Sequence, residues 1–251
     1  MSDSSEGRIT LIPSVHVSAN RIEAVRQELT ELEPDLIGVE LDATRFSSMT
    51  SKKESRRLLS VVGEMGLAAG VAYLSMGLLQ VGLSKLTGVK NGSDMATAIS
   101  VARDAEKPIA LVDMDIQPVF HDIVGHVLET PVDSVISFFT VYRDEDIDVD
   151  LSSFRSFLGS STVDMDEIDE LISIFREVAP YATQKLIDER NEYMAVRLWR
   201  LKQEGVHVAV VLGAGHVSGI AEILERYEEQ PPEVEDIDVP IRYPVEATEE
   251  N

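Results

Sequence analysis

Val206-His207-Val208-Ala209-Val210-Val211-Leu212-Gly213-Ala214-Gly215-His216-Val217-Ser218 is the stretch from which the fold is read. Its first seven residues are rich in branched apolar side chains, which suit a strand buried on both faces. Gly213 and Gly215 then let the backbone turn sharply and approach a ligand closely, and an imidazole follows at once. The same tripeptide, His16-Val17-Ser18, stands near the N-terminus behind the short apolar run Ile9-Thr10-Leu11-Ile12. Two further apolar runs, Leu36-Ile37-Gly38-Val39 and Ile109-Ala110-Leu111-Val112, stop at Glu40 and Asp113. If these four runs are parallel strands, their polar endings share one rim of the sheet, where open α/β folds bind ligands. The expected class is α/β, with a mostly parallel central sheet flanked by helices.

The segments between the runs read as helices. Asn20 and Glu23 have the spacing of a capping box, and Ile22, Val25, Leu29 and Leu32 form one apolar face that ends near Pro34. That makes a β-α-β unit. Ser93 or Asp94 is expected to cap a helix running to about Glu106. Residues 118–203 read as mostly helical, with apolar spacing in Val135, Ile136, Phe138 and Phe139 and again in Ile168, Leu171, Ile172 and Phe175. So long an insertion between strands is expected to cap the C-terminal rim of the sheet. Ile237 to Tyr243 alternate as an edge strand, and 244–251 form an acidic tail. The whole chain, 1–251, is read as a single domain.

No charged residue occurs from Met65 to Leu83, close to the roughly 20 residues of a membrane span. Four glycines, a glutamine and a tyrosine within it, and the lack of a basic cluster at either end, favour a buried or subunit-interface helix over membrane contact. On that reading the wider segment 58–87 pairs two copies as a homodimer.

Composition narrows the chemistry. With 251 residues, 44% of them hydrophobic, the chain can bury one substantial core. Forty-five acidic against 22 basic residues give a net charge of −23, which repels nucleic acid and anionic lipid. This balance, with few lysines, is like that of proteins from salt-accumulating halophiles, and a halophilic archaeal origin is expected from it. Cysteine is absent, so disulfides, thiolate metal sites and cysteine nucleophiles are excluded. The N-terminus has no basic region leading into an apolar core, so the expected compartment is the cytoplasm. Gly213-Ala214-Gly215 opens like a dinucleotide fingerprint, but Gly219 falls one position late, and no serine-hydrolase elbow is present.

The remaining candidates lie at the strand ends. A lone histidine at either place reads as a structural hydrogen-bonding residue, but the paired His16 and His216 read as a site. Glu40 ends an apolar strand and requires a cation, either a metal ion or Arg45 a turn into the next helix. Asp113 and Asp115 follow the next strand, and Asp94 enters from a helix start. Two histidines and a carboxylate suffice for zinc, manganese or iron with an open coordination position. Arg190 and Asn191, within Glu189-Arg190-Asn191-Glu192-Tyr193-Met194-Ala195, taken alone form an ordinary charged helix face. His121, His126 and His207 are read as structural.

Taken together, these residues resemble the TraB/PrgY family, whose relatives include the Tiki metalloproteases and, more remotely, the erythromycin-esterase and ChaN-like folds. The resemblance runs from about Ile9 to Ile223. Its opening motif corresponds to Pro13-Ser14-Val15-His16-Val17-Ser18, with proline in place of glycine. Its acidic signature corresponds to Gly38-Val39-Glu40-Leu41-Asp42-Ala43-Thr44-Arg45. A third segment matches Gly88 to Met95 with Asp94 in place of glutamate, and a fourth matches Asp113-Met114-Asp115-Ile116 in part, with Met114 in place of arginine. Glu189 to Ala195 and Gly213 to Ile220 match throughout. Many family members carry C-terminal membrane helices that this sequence lacks, so a short form is expected.

The resemblance implies metal-dependent hydrolysis of peptides, and it moves Arg190 and Asn191 from the surface to the site. His16, His216 and Glu40 would hold the metal, and Asp94 or Asp113 would orient or deprotonate its water. Arg190 and Asn191 would steady an oxyanion, while Arg45, Asp115, Gly213 and Gly215 would contact the substrate. The other reading is a non-catalytic protein of the PrgY or ChaN type that sequesters a peptide or haem.

Overall fold

A computed structural model describes residues 7–14, 19–50, 93–130, 165–233 and 241–243. The uncharged segment 65–83, the 58–87 interface, the acidic tail 244–251, part of the expected cap and His16 all lie outside the described residues.

The four apolar runs are parallel strands. They are β1 (Arg8–Ser14), β2 (Leu36–Val39), β3 (Ile109–Leu111) and β4 (His207–Gly213). A short β5 (Ile241–Tyr243) adds antiparallel to β3 at the edge, which gives the order β1-β4-β2-β3-β5. The last parallel strand in sequence thus inserts between the first two. Register places Ser14 opposite Gly213 and Val39 opposite both Val211 and Leu111, so the C-terminal tips of β1, β4, β2 and β3 lie side by side. Gly38 permits this pairing, because a Cβ there would stand 2.8 Å from Val210 Cβ.

Alternation along the strands feeds two cores. Ile37, Val39, Ile109, Leu111, Ala209 and Val211 face α1 (Ala19–Leu32) and α3 (Ser93–Asp104), where Val25, Leu29, Ala98 and Ala102 are buried. The short α2 (Ala43–Thr50) follows β2. Helix α1 stops where Glu33 takes a φ of 43° ahead of Pro34. Leu36, Ala110, Val208, Val210 and Leu212 point the other way, against Met194, Ala195, Leu198 and Leu201 of α7 (Glu189–Gln203) and Ile220 and Tyr227 of α8 (Ala214–Glu229).

The helical insertion therefore divides in two. Its last helix, α7, belongs to the sheet layer and is not part of a cap. The others, α4 (Ile116–Glu129), α5 (Met165–Val178), α6 (Pro180–Thr183) and a π-helical turn (Gln184–Asp188), gather a separate core. Ile116, Val119, Ile123, Ile168, Leu171, Phe175, Leu186 and Ile187 pack there with Ala214, the first residue after β4. That contact sets the cap at the rim.

The starts of two helices at the rim are defined by what precedes them. Helix α8 begins at Ala214, with Gly213 as its cap and His216 in its first turn. Asp94 lies inside the first turn of α3, and its carboxylate turns to Ser14 instead of capping. Among the described residues no helix is long and apolar enough to cross a membrane.

Candidate functional site

Strands β2 and β3 are neighbours, so Glu40 and Asp113 leave the sheet side by side. Both are buried, Glu40 completely. Isolated carboxylates there would be costly unless paired. Their partner comes from α7. Arg190, also 0% exposed, donates through Nη2 to Glu40 Oε1 at 2.5 Å and to Asp113 Oδ2 at 2.7 Å. It donates through Nε to Asp113 Oδ1 at 3.1 Å, and Nη1 reaches Leu186 O at 3.1 Å and His216 Nε2 at 3.0 Å. These five bonds use all five donors of a guanidinium. Burial works against its charge, but Asp113 and Glu40 outweigh burial and raise its pKa above the ordinary arginine value.

The cation that meets Glu40 is thus Arg190, and the alternative Glu40–Arg45 pair is not formed. Arg45, partly exposed, reaches Asp113 Oδ2 at 3.3 Å instead. Its backbone N–H, like that of Thr44, is held by Asp42 Oδ1, which caps α2. The other oxygen of Glu40, Oε2, accepts the Gly213 N–H at 2.5 Å, which ties the tip of β2 to the end of β4. Gly213 therefore contributes its amide to Glu40, and Gly215 lies buried one residue before His216.

The geometry around His216 fixes its tautomer. A guanidinium can only donate, so Nε2 is the unprotonated acceptor and Nδ1–H donates to Asn191 Oδ1 at 2.6 Å. Burial first, and then the Arg190 charge, hold the His216 pKa well below the usual histidine value. Its place in the first turn of α8 acts in the same direction, since helix N-termini disfavour cations. Gly219, three residues on and on the same helix face, makes room for this partner: a Cβ there would collide with Asn191 Nδ2 and stand 3.3 Å from Asn191 Cγ. Sequence reading missed Gly219, although a small residue one turn from a candidate histidine was the available signal.

Asp94 approaches from α3 and accepts the Ser14 hydroxyl at 2.5 Å through Oδ2. Among the described residues, neither its buried Oδ1 nor the buried Asp42 Oδ2 has a hydrogen-bond partner. Asp115 does not join the network: it is exposed and caps α4, accepting Gln117 N–H at 2.9 Å. His16 lies outside the described residues, and Ser14, two positions earlier, is registered beside Gly213. Arg190 itself has no donor left for an oxyanion in this arrangement. Of the histidines read as structural, His126 stacks on Tyr181 and His207 meets Arg8 and Thr10 away from the rim.

The groups brought together pair two buried acids with one guanidinium and keep an imidazole neutral. Among the described residues no three His, Asp or Glu side chains are grouped to hold a metal by themselves. Glu40 Oε1 and His216 Nε2 nevertheless stand 3.5 Å apart. Two ligands about 2.1 Å from a tetrahedral ion stand about 3.4 Å from each other, a spacing close to that of this pair, but here Arg190 holds both atoms.

The TraB/PrgY/gumN family matches residues 2–236. The chain is also 30% identical over 225 residues to an uncharacterized protein of Methanocaldococcus jannaschii, covering 89% of this chain and 55% of that relative. It thus spans little more than half the length of the curated relative it matches. The chain belongs to the TraB/PrgY/gumN family.

Proposed function

We propose that this family member is a metal-dependent hydrolase acting on peptides, with its centre at the tips of β1, β4 and β2. The observation that carries the reading is the fully buried Glu40–His216 pair, with an oxygen and an unprotonated nitrogen 3.5 Å apart. Glu40 and His216 would hold a zinc, manganese or iron ion together with His16, the third ligand expected from the paired tripeptides. When bound, such an ion supplies Lewis acidity to a scissile carbonyl and acidifies water.

The chain's own groups have distinct tasks. Asn191 holds the His216 ring through Nδ1–H and keeps the Nε2 lone pair toward the rim. Asp94 Oδ1, buried and without a partner among the described residues, is the acceptor for a proton from water, and Ser14 fixes the other oxygen of that carboxylate. Arg45 meets Asp113 through Nη1 and, being partly exposed, is the group that would meet a substrate carbonyl and the charge that develops on it. Arg190 neutralises the two acids at the strand tips.

Metal analysis of purified protein, compared with His16→Ala and His216→Ala, tests the assignment. Both variants are expected to lose metal, and unchanged content in both refutes it. Cleavage of a peptide library supplemented with zinc or manganese tests the substrate class.

One observation favours a second reading. Every donor of Arg190 and both nitrogens of His216 are satisfied within the protein. Such a closed network suits a protein that binds a peptide or haem without turnover. A Soret band on haem addition, with no cleavage in either metal, would support it over hydrolysis.

A further inference from the structure

We propose that the open edge of β1 binds an extended peptide as an added strand and so leads substrate to the rim. The inference rests on the reading of the substrate as a peptide and adds where its backbone docks. Arg8 N–H donates to Val206 O at 3.1 Å, and the parallel register sets Arg8 beside His207. Bonding alternates along a strand, so Arg8, Thr10 and Ile12 give their N–H and C=O groups to β4, while those of Ile9 and Leu11 point away from the sheet. Among the described residues β1 has a strand on one side only, and Ile9, Thr10 and Leu11 are each partly exposed. The outward N–H and C=O groups of Ile9 and Leu11 stand in fixed register, and a peptide backbone carries the matching repeat.

The two edges of the sheet are not alike. Strand β5 is three residues long and carries Arg242 at its centre, a charge that discourages pairing. Strand β1 is seven residues long and has no charged side chain after Arg8. Its Pro13 has no N–H, so β1 donates outward no further than Leu11. The strand is also held firmly, with Ile12 buried in one core and Ile9 and Leu11 packed on the other. A peptide therefore meets a template that is already ordered, which lowers the cost of binding.

Charge selects the occupant and its direction. Arg8, exposed, opens the strand. At the far end Ser14 holds Asp94, whose buried Oδ1 has no partner among the described residues. An edge that is positive where β1 begins and negative where it ends suits a peptide lying antiparallel to it, with its carboxylate end toward Arg8 and its amino end toward the rim. Ile9 and Leu11 then each exchange a pair of hydrogen bonds with the residue opposite. A second copy of the chain fits less well. Antiparallel pairing of two β1 strands over their full length sets Pro13 opposite Ile9, where proline has no N–H for the Ile9 carbonyl. It also brings together two chains of net charge −23, which repel one another.

Amide hydrogen exchange of the wild-type protein, read by NMR with the unblocked peptide Val-Thr-Val-Thr-Val as the probe, tests the pairing. In the protein alone the Thr10 and Ile12 amides should exchange slowly and those of Ile9 and Leu11 fast. At about 5 mM peptide, enough to load a site of millimolar Kd, exchange at Ile9 and Leu11 should slow at least about threefold and stay unchanged at Thr10 and Ile12. The same peptide N-methylated at every residue should have no effect, and the carboxyl-amidated form should bind more weakly by at least about twofold. Leu11→Pro, which deletes one outward donor and spares the bonds of Thr10 and Ile12 to β4, should lose the response. Unchanged exchange at Ile9 and Leu11, or equal slowing by the N-methylated peptide, overturns the proposal. Protection of both amides without peptide overturns it as well, and sedimentation then shows whether a second copy holds the edge. Cleavage of the peptide library in zinc or manganese is followed in parallel. Cleavage with no response at Ile9 and Leu11 overturns the edge and leaves hydrolysis standing, whereas protection without any cleavage supports the edge and overturns hydrolysis.

Discussion

Replacing Arg190 by methionine removes five hydrogen bonds and leaves Glu40 facing Asp113 in a buried rim. Removing one partner of a buried pair costs about 3–5 kcal/mol, because the remaining charge stays desolvated. Arg45 still meets Asp113 at 3.3 Å, so the cost falls chiefly on Glu40, whose other tie is the Gly213 N–H. In a chain of this length each kcal/mol shifts the melting temperature by about 2–4 °C, giving an expected fall of about 6–20 °C. Urea unfolding followed by circular dichroism, with chelator present, measures the loss directly. Glu40→Gln added to Arg190→Met should recover part of it, since a glutamine carbonyl can still accept from Gly213 and carries no charge. A loss below about 1 kcal/mol for the single variant, or a double variant no more stable than the single, would refute the view that Arg190 is the neutralising partner.

Gly219→Ala should destabilise by about 1–3 kcal/mol in urea, because the new methyl displaces the buried Asn191 amide. Gly125→Ala should instead stabilise by about 0.5–1 kcal/mol, since nothing lies within 4 Å of its Cβ position in α4. Acidification below about pH 6.5 should lower stability: burial and then Arg190 hold His216 below that value, and burial and then Arg8 do so for His207. The unfolded chain takes up those protons first, so the contribution is complete above pH 6.5 and is lost as pH falls toward the folded values. His207→Gln should make the slope of urea midpoint against pH shallower, and an unchanged slope would remove His207 from the account. With a net charge of −23, melting temperature should rise with added potassium chloride, and full stability in dilute buffer would count against a halophilic origin.

The strands were readable because short runs of branched apolar residues end abruptly in polar residues or glycine, a pattern that suits a parallel sheet covered on both faces. Their order was not. Periodicity tells which residues form a strand, whereas the insertion of β4 between β1 and β2 depends on how distant segments pack. The same limit hid the division of the helical insertion. Residues of α7 and of α5 share one helical period, and only their partners differ: Met194 and Leu198 meet the sheet, while Ile168, Leu171 and Phe175 gather with Ile116 and Ile123 of α4. Arg190 read as a surface residue from its charged neighbours Glu189 and Glu192. Its spacing held the contrary signal, because Met194, Leu198 and Leu201 follow at four, eight and eleven residues and mark the buried face of α7. Asp115 stands apart from the network for a different reason. Its position after a strand equally suits a helix cap, and the cap is what α4 uses.

The choice of arginine at position 190 follows from the sheet itself. Parallel neighbours lie about 4.8 Å apart, so acids that end adjacent strands are forced close together whatever their function. A lysine could neutralise one of them, but its three donors from a single nitrogen cannot serve acceptors spread over Glu40, Asp113, His216 and Leu186. A planar fork with five donors can, and here it reaches two strand ends, the first turn of α8 and its own preceding turn at once. The residue that makes the buried acids tolerable is therefore also the one that sets the His216 lone pair, so one side chain ties the stability of the rim to the state of that imidazole.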